Sequence, residues 1–437
     1  MEQVSDPSAS ETVGRRTHPL TAVVQGARFA VAVVVGLVGT IFGGDSWGDI
    51  PAIVSLGIAL VAGLVVGVAI GYVGWLFTRY VIDGTELRIN TGLVTKSSRR
   101  IPYERIQSVD IAEPLVARVL GLAELRIEMA GGKDSRSTLK FLTLADARDL
   151  RRVLMARAHG ESLDEPREEH RSIITRVPPE RVVIGTLLSL DFLFAAIGSV
   201  VLLVLAVWFV GVLVLLGGII PLATWLAQIV AMRVLQQWNF TLSRGERGLR
   251  IERGLLSRTS QTIPFDRVQG IAIKEPFVWR RLGWQRLEVD IAGYASHGED
   301  ERDSSSSILL PIADRALAAA VIAELVSHAT ADVEHIHAPR RSRLFAPIGW
   351  RYRWVGADAA AFVAHEGWIQ QTTSIVPHQR TQSVELRQGP LQRRRKVATV
   401  EVHTPEGPVD ADGRHLDEHD ARAVLLAQLE RARSSRA

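Results

Sequence analysis

The chain has 437 residues, a formal net charge of +4, and 47% hydrophobic residues of which few are aromatic. It contains no cysteine, which excludes disulfides, thiol catalysis and zinc sites built on cysteine. Only five of its 51 basic residues are lysine (Lys96, Lys133, Lys140, Lys274 and Lys396), an arginine bias that carries no argument for nucleic-acid binding.

Residues 1–22 are polar, lack a cleavage-like site, and read as a disordered cytoplasmic tail. Two apolar segments follow, Val23 to Gly43 and Ala52 to Phe77, giving a first membrane hairpin over 23–78. A second hairpin is expected over 182–235, because a helix crossing about 30 Å of hydrocarbon needs roughly 20 residues. The uncharged run from Phe192 to Met232 is too long for one span, so its turn is placed near Phe209 to Gly211. Gly217, Gly218 and Pro221 then fall inside the fourth span as tolerated breaks. Asp191 is the one ionisable residue between Val182 and Met232 and falls at headgroup level if the span begins at Phe192.

Arg15, Arg16, Arg28, Arg79, Arg176, Arg181 and Arg233 flank the spans on one side, whereas the first short loop carries Asp45 and Asp49. The positive-inside rule therefore puts both termini and all large polar regions in the cytoplasm of a four-span protein of the cell membrane. Gly63, Gly67 and Gly71 recur at every fourth position of the second span. They form a ridge that lets another helix approach closely, either span one of the same chain or a second molecule.

After each hairpin comes the same passage. "IPYERIQSVDIAEPLVARVLGL" begins at Ile101 and returns from Ile263 as "IPFDRVQGIAIKEPFVWRRLGW". Gly92, Pro102, Arg105, Gln107, Arg118, Gly121 and Gly131 meet Gly254, Pro264, Arg267, Gln269, Arg280, Gly283 and Gly293 at one offset, 162 residues, without a gap. Glu113 and Pro114 meet Glu275 and Pro276 in the same way. That is a duplication of a whole domain with its hairpin, since the period exceeds that of solenoid repeats. A third, degenerate copy places Gly367, Pro377, Arg380, Gln382, Ser383 and Val384 at an offset of 275 from the first, with Lys396 in the place of the glycine of "LGL".

Within a copy, "ELRIN", "IQSVDI" and "LRIEM" alternate with period two and read as strands. Gly92 falls in a hairpin turn, and Pro102 is expected to open a strand. Amphipathic helices close the copies at Leu144–Ala158, Ile312–Ala329 and Asp417–Arg433. The domains are then 79–160, 236–331 and 350–437, with linkers at 161–181 and 332–349; the class is α+β.

The string L-x-I-x-x-G-x-L, then IP-x-x-R-[IV]-Q, EP, R-x-LG and a closing AG resembles the bacterial pleckstrin-homology domain. The order of paired spans and domain is similar to the multi-copy membrane proteins of the YdbT-like kind. That resemblance implies a seven-stranded bent antiparallel sheet capped by a C-terminal helix, used for binding, with no catalytic residue in its signature.

The repeated residues Pro102, Arg105, Gln107, Arg118, Gly121, Pro264, Arg267, Gln269, Arg280 and Gly283 are read first as framework, the arginines serving buried carbonyls or a carboxylate such as Glu113 or Glu275. An anion groove is the second reading. Lys96, Arg99 and Arg100 form a juxtamembrane basic cluster suited to anionic lipid, and Arg393, Arg394, Arg395 and Lys396 a second one. His335 and His337 lie with Glu334 on a linker, but two histidines without further ligands do not make a metal site. No phosphate loop, nucleophile elbow or His-Glu-x-x-His helix occurs. The expectation is a non-enzymatic adaptor, with no cofactor and no metal, that binds the bilayer and a protein partner or anionic lipid. It is open to homo-oligomerisation and does not bind nucleic acid. The alternative is a subunit of a membrane enzyme or transport complex.

Overall fold

The computed structural model describes residues 15–21, 24, 52–91, 97–129, 136–158, 160, 172–212, 214–246, 248–292, 308–326, 333–405, 407 and 409–436. These residues form two compact units: 1–168 with 256–261, and 169–255 with 262–437.

The first unit holds copy one. Strand β1 (Arg15–Arg16) is followed by helix α1 (Ala52–Leu76), then β2 (Arg79–Ile82), β3 (Glu86–Thr91) and β4 (Ser97–Pro102). These strands form one antiparallel sheet in the order β1-β2-β3-β4. Leu87 and Ile89 turn inward while Arg88 and Asn90 turn outward, which is the alternation the sequence carries. A one-turn 3-10 helix, Tyr103–Arg105, leads into β5 (Ile106–Pro114). Then come α2 (Leu115–Val119), β6 (Leu122–Met129), β7 (Arg136–Thr143) and α3 (Leu144–Ala158). Helix α3 is started by Thr143, whose hydroxyl accepts from the Asp146 amide at 3.1 Å. It buries Ala147, Leu150 and Leu154, a spacing that keeps one face inward. That face joins Leu87, Ile101, Tyr103, Val109, Leu125, Ile127 and Leu139 in a single core. Within the same unit Ser257–Ser260 add antiparallel to the free side of β5, Arg258 opposite Glu113.

The second unit holds most of copy two and all of copy three. Copy two runs through β8 (Ser172–Val177), α4 (Pro179–Leu187), α5 (Leu190–Val210), α6 (Val214–Gln236), β9 (Phe240–Arg244), β10 (Gly248–Arg253) and β11 (Ser257–Pro264). It continues with β12 (Val268–Pro276), α7 (Phe277–Leu282), β13 (Trp284–Ile291), β14 (Ile308–Asp314) and α8 (Arg315–Leu325). Copy three repeats the order as β15 (Ile336–His337), β16 (Trp354–Ala357), β17 (Ala361–Glu366), β18 (Gln370–Pro377) and β19 (Ser383–Arg387). It ends with α9 (Pro390–Arg394), β20 (Val397–His403), β21 (Ala411–Asp417) and α10 (Glu418–Ser434). Each copy thus contributes seven strands and a closing helix, as the resemblance implies, but they pair across copy boundaries. One seven-stranded sheet has the order β14-β13-β12-β18-β17-β16-β15. The second half of copy two and the first half of copy three share it.

The apolar helices lie inside the copies. β1 pairs with β2 across α1, and β8 pairs with β9 across α5 and α6. In copy three the same place holds two 3-10 turns, Arg340–Leu344 and Gly349–Tyr352. Helix α5 and residues Gly217–Gln236 of α6 are each long and apolar enough to cross a bilayer, with mean hydropathies of 2.8 and 1.6. Gly211, at φ +104°, ends α5 where the sequence placed the turn. Helix α1 coincides with the expected second span, although its apolar described stretch, Leu60–Leu76, is shorter. The expected first span lies outside the described residues. Two of the four expected spans therefore coincide with described helices of sufficient length and hydropathy.

Several boundaries are corrected. Arg15–Arg16, inside the expected tail, form β1. The expected linkers 161–181 and 332–349 contain β8 and β15. Pro102, Pro264 and Pro377 close strands instead of opening them, each sitting at the head of a 3-10 turn where a missing N–H is harmless. Gly92 and Gly131 lie outside the described residues, but the counterparts of Gly92, Gly254 and Gly367, adopt φ of +105° and +100° in their turns. Copy three is complete in fold; its departure is local. Lys396 occupies, at φ +52°, the left-handed position that Gly121 and Gly283 fill at +69°.

Candidate functional site

A cavity of about 170 Å³ lies at the foot of the second hairpin, lined by Ser189, Leu190, Asp191, Lys274, Pro276, Trp279, Arg286 and Gln370. Its floor is the sheet, where Lys274 on β12 stands opposite Arg286 on β13. Two like charges face to face repel, and Glu288, two residues along β13, relieves them. Its carboxylate is 2.6 Å from Lys274 Nζ and 4.0 Å from Arg286 Nη1. Trp279, 1% exposed on α7, forms a wall, with the Arg286 guanidinium 5.7 Å from its ring. Helix α4 can pack here because Gly185 has no side chain: a Cβ there would overlap Ile312 and stand 3.1 Å from Trp279.

The roof is the start of α5. Ser189 caps this helix, accepting from the Phe192 amide at 3.4 Å, and also receives Arg233 Nη1 at 3.1 Å. Arg233 Nη2 reaches Asp191 at 3.1 Å. The Asp191 side chain is 72% exposed, so the residue sits at the entrance of the hairpin, in its first helical turn.

The electrostatics follow from burial. The Arg286 side chain is only 19% exposed. Desolvation, then the Arg233 guanidinium, push its pKa down, while Glu288 and Asp191 act the other way. Three cations (Arg233, Lys274, Arg286) meet two carboxylates (Asp191, Glu288), leaving the site net positive. Among the described residues, Arg286 Nε and Trp279 Nε1 are buried donors with no hydrogen-bond acceptor. Unmet buried donors are costly, by about 1–3 kcal/mol each.

Of the residues singled out in the sequence, Asp191 and Pro276 line the cavity, and the others sit elsewhere. Arg105 and Arg118 are exposed, and Arg267 and Arg280 are half-buried. Arg280 donates to the Trp368 carbonyl at 2.8 Å. Glu275, one carboxylate expected to serve the repeated arginines, instead accepts from Gln285 at 2.9 Å and faces Arg315 at 3.6 Å. Gln107 and Gln269 occupy the β-bulges between Ile106 and Ser108 and between Val268 and Gly270, a position with a fixed geometric demand. Lys96 lies outside the described residues. Arg99 and Arg100 are adjacent on β4 and so point to opposite faces of the sheet, not to one basic surface. Arg393, Arg394, Arg395 and Lys396 are exposed around α9. Gly63, Gly67 and Gly71 are buried on α1 between exposed neighbours. His335 stacks on Trp354 at 3.7 Å.

Sequence reasoning missed the cavity because its cationic and aromatic residues are not the repeated ones. Carried back by 162 residues, Lys274, Trp279 and Arg286 fall on Ala112, Ala117 and Glu124; carried forward by 113 they fall on Arg387, Gln392 and Thr399. The differences between copies were the signal.

Comparison with known proteins agrees with this architecture. Bacillus subtilis (strain 168) has a protein described as UPF0699 transmembrane protein YdbT, 25% identical over 288 residues, 56% of this chain and 55% of that protein. The chain thus aligns with about half the length of that relative. The family described as Bacterial PH domain matches residues 27–158, 189–330 and 338–433, each match ending within or beside a copy's closing helix. With three matches that together cover most of its length, the chain belongs to the bacterial PH domain family.

Proposed function

We propose that this protein is a non-enzymatic binding module of the membrane. In this reading it has four spans, cytoplasmic termini and cytoplasmic PH-like copies, and its second copy holds an anionic lipid headgroup at the foot of the hairpin. The observation that carries the reading is the gathering of Arg233, Lys274 and Arg286 against only two carboxylates around one cavity, which leaves the site net positive. The cavity adjoins Leu190, the first residue of a helix with the length and hydropathy of a membrane span. A headgroup phosphate offers acceptor oxygens and negative charge at that depth, and its acyl chains remain in the bilayer beside α5. Charge-assisted hydrogen bonds of this kind are the strong ones. The YdbT relative, described as a transmembrane protein, supports the membrane setting.

The test is the full chain in neutral detergent, melted with phosphatidylglycerol and separately with phosphatidylcholine. Phosphatidylglycerol should raise the melting temperature and phosphatidylcholine should not. Arg286→Met, which keeps volume and removes charge, should abolish the difference without lowering the lipid-free melting temperature. An equal response to both lipids would overturn the headgroup reading.

A further inference from the structure

The same junction is built twice in this chain. In copy one's sheet, β5 accepts Ser257–Ser260; in copy two's sheet, β12 accepts β18. The registers are identical once the repeat offsets are applied. Ser257 lies opposite Pro114 and Gln370 opposite Pro276, and both pairs reduce to position 95 against position 114 of copy one. Every copy therefore has a donor strand (β4, β11, β18) and an acceptor strand (β5, β12, β19). Two of the six are terminal in their sheets among the described strands: β4, the donor of copy one, and β19, the acceptor of copy three. They are also the most exposed of their kinds. Ser97, Ser98 and Arg100 on β4 and Ser383, Glu385 and Arg387 on β19 are exposed, whereas Ile271, Ala272 and Ile273 of β12 are buried.

We propose that β4 of one molecule adds to β19 of a second copy of this chain, repeating between molecules the junction made twice within one. The internal register predicts the pairs. Ser97 falls opposite Arg387, Ser98 opposite Leu386, Arg99 opposite Glu385 and Arg100 opposite Val384. The offset holds through this part of copy three, since Ser383 pairs with His403 as Ser108 pairs with Glu128. Charge supports the fit. Glu385 lies beside Glu401 on the next strand, and the pair has His403 and Arg387 as neighbours. Arg99, opposite Glu385, brings a cation to that carboxylate pair, as Arg258 meets Glu113 in the first internal junction. Pro102 is no obstacle, because Pro264 and Pro377 end the internal donors at the same place and lie beyond the paired residues. The interface is head-to-tail, so it closes into a ring or grows as a row of molecules.

The chain lacks cysteine, so introduced pairs report without background. The full chain is expressed in two differently tagged forms, Arg99→Cys and Glu385→Cys, and oxidised in membranes. Opposed residues of an antiparallel pair lie about 4.5–5.5 Å apart, inside the roughly 4.4–6.8 Å span of a disulfide. The mixture should give a mixed dimer, each variant alone should stay monomeric, and Ser98→Cys with Glu385→Cys should not link. Arg100→Cys with Val384→Cys, on the other face, should link in the same way and guards against a variant that misfolds. Both cysteines of a pair in one chain should yield a ladder. The proposal is overturned if neither pair gives a mixed dimer, if Arg99→Cys dimerises by itself, or if the off-register pair links equally well.

Discussion

Asp191 and Arg233, 42 residues apart, clasp the two ends of the second hairpin, Oδ2 to Nη2 at 3.1 Å. The pair sits beside the cavity that Arg286 lines, so the Asp191 carboxylate competes with any incoming anion for the same cations.

Asp191→Asn should therefore strengthen the response to anionic lipid. Because the carboxylate is 72% exposed, the loss of stability should stay below about 1 kcal/mol. The gain in affinity should be several-fold at low ionic strength and shrink in salt. Lipid-dependent melting at two salt concentrations checks both. A weakened response would mean that Asp191 serves to orient Arg233.

Lys396→Gly should stabilise copy three. Lys396 holds φ +52°, where copies one and two have glycine. Its backbone N–H donates to Arg393 and its carbonyl accepts from Glu418, contacts that glycine keeps. The expected gain is about 1 kcal/mol, read as slower hydrogen exchange in β20 and α10. No gain would show that the lysine stem compensates through its own packing.

Copy three should weaken in acid. Burial pushes His365 down to about 4, with His335, Arg280 and His337 adding to the effect. Burial, then Arg353 and Arg414, does the same to His415. Between 6.5 and about 4 the unfolded chain binds more protons than the folded one, so stability is present above 6.5 and falls as pH drops through this window. Both rings are half-buried, which limits the loss to on the order of 1–2 kcal/mol each. His365→Gln should flatten its share of a pH-dependent melt.

Asp290 acts in the opposite sense. It is 3% exposed, and burial raises its pKa to about 6 against one backbone hydrogen bond. The folded state holds the proton between 3.8 and about 6, so this carboxyl's contribution declines as pH rises through that window. Asp290→Asn should raise the melting temperature at pH 7 and change it little below pH 4. A gain independent of pH would place the effect in packing, and the close approach of Gly407, where a Cβ would overlap the carboxylate, is the contact to inspect.

Gly67→Leu should destabilise the first unit. Gly63, Gly67 and Gly71 are buried while Val65, Val66 and Ile70 are exposed, so the glycine face is the packed one. Proteolysis of the detergent-solubilised chain should accelerate in copy one and not in copy three.

The repeat was legible because its landmarks are geometric. Gly121 and Gly283 require a left-handed backbone, Gln107 and Gln269 mark bulges, and these demands survive divergence of the other side chains. The first strand of each copy was hidden for a topological reason. Arg16 pairs with Arg79 across α1, far apart in the sequence, so no local pattern couples them. The exchange of strands was hidden too, since Ile375 on Ile271 is a pairing between residues that each look like members of separate domains. The cavity escaped because Trp279 and Arg286 stand where copy one has Ala117 and Glu124; a search for what the copies share passes over them.

The strand exchange constrains how such a gene can lengthen. An in-frame duplication of one full period brings one donor edge and one acceptor edge, so every internal junction is restored and the terminal edges keep their character. A crossover within a copy that separated β12 from the segment encoding β18 would leave Ile271 and Ile273 in water together with the backbone groups that Ile375 and Thr373 now satisfy. Recombination is tolerated in whole steps, and the step is set by the sheet, not by the borders of the repeat.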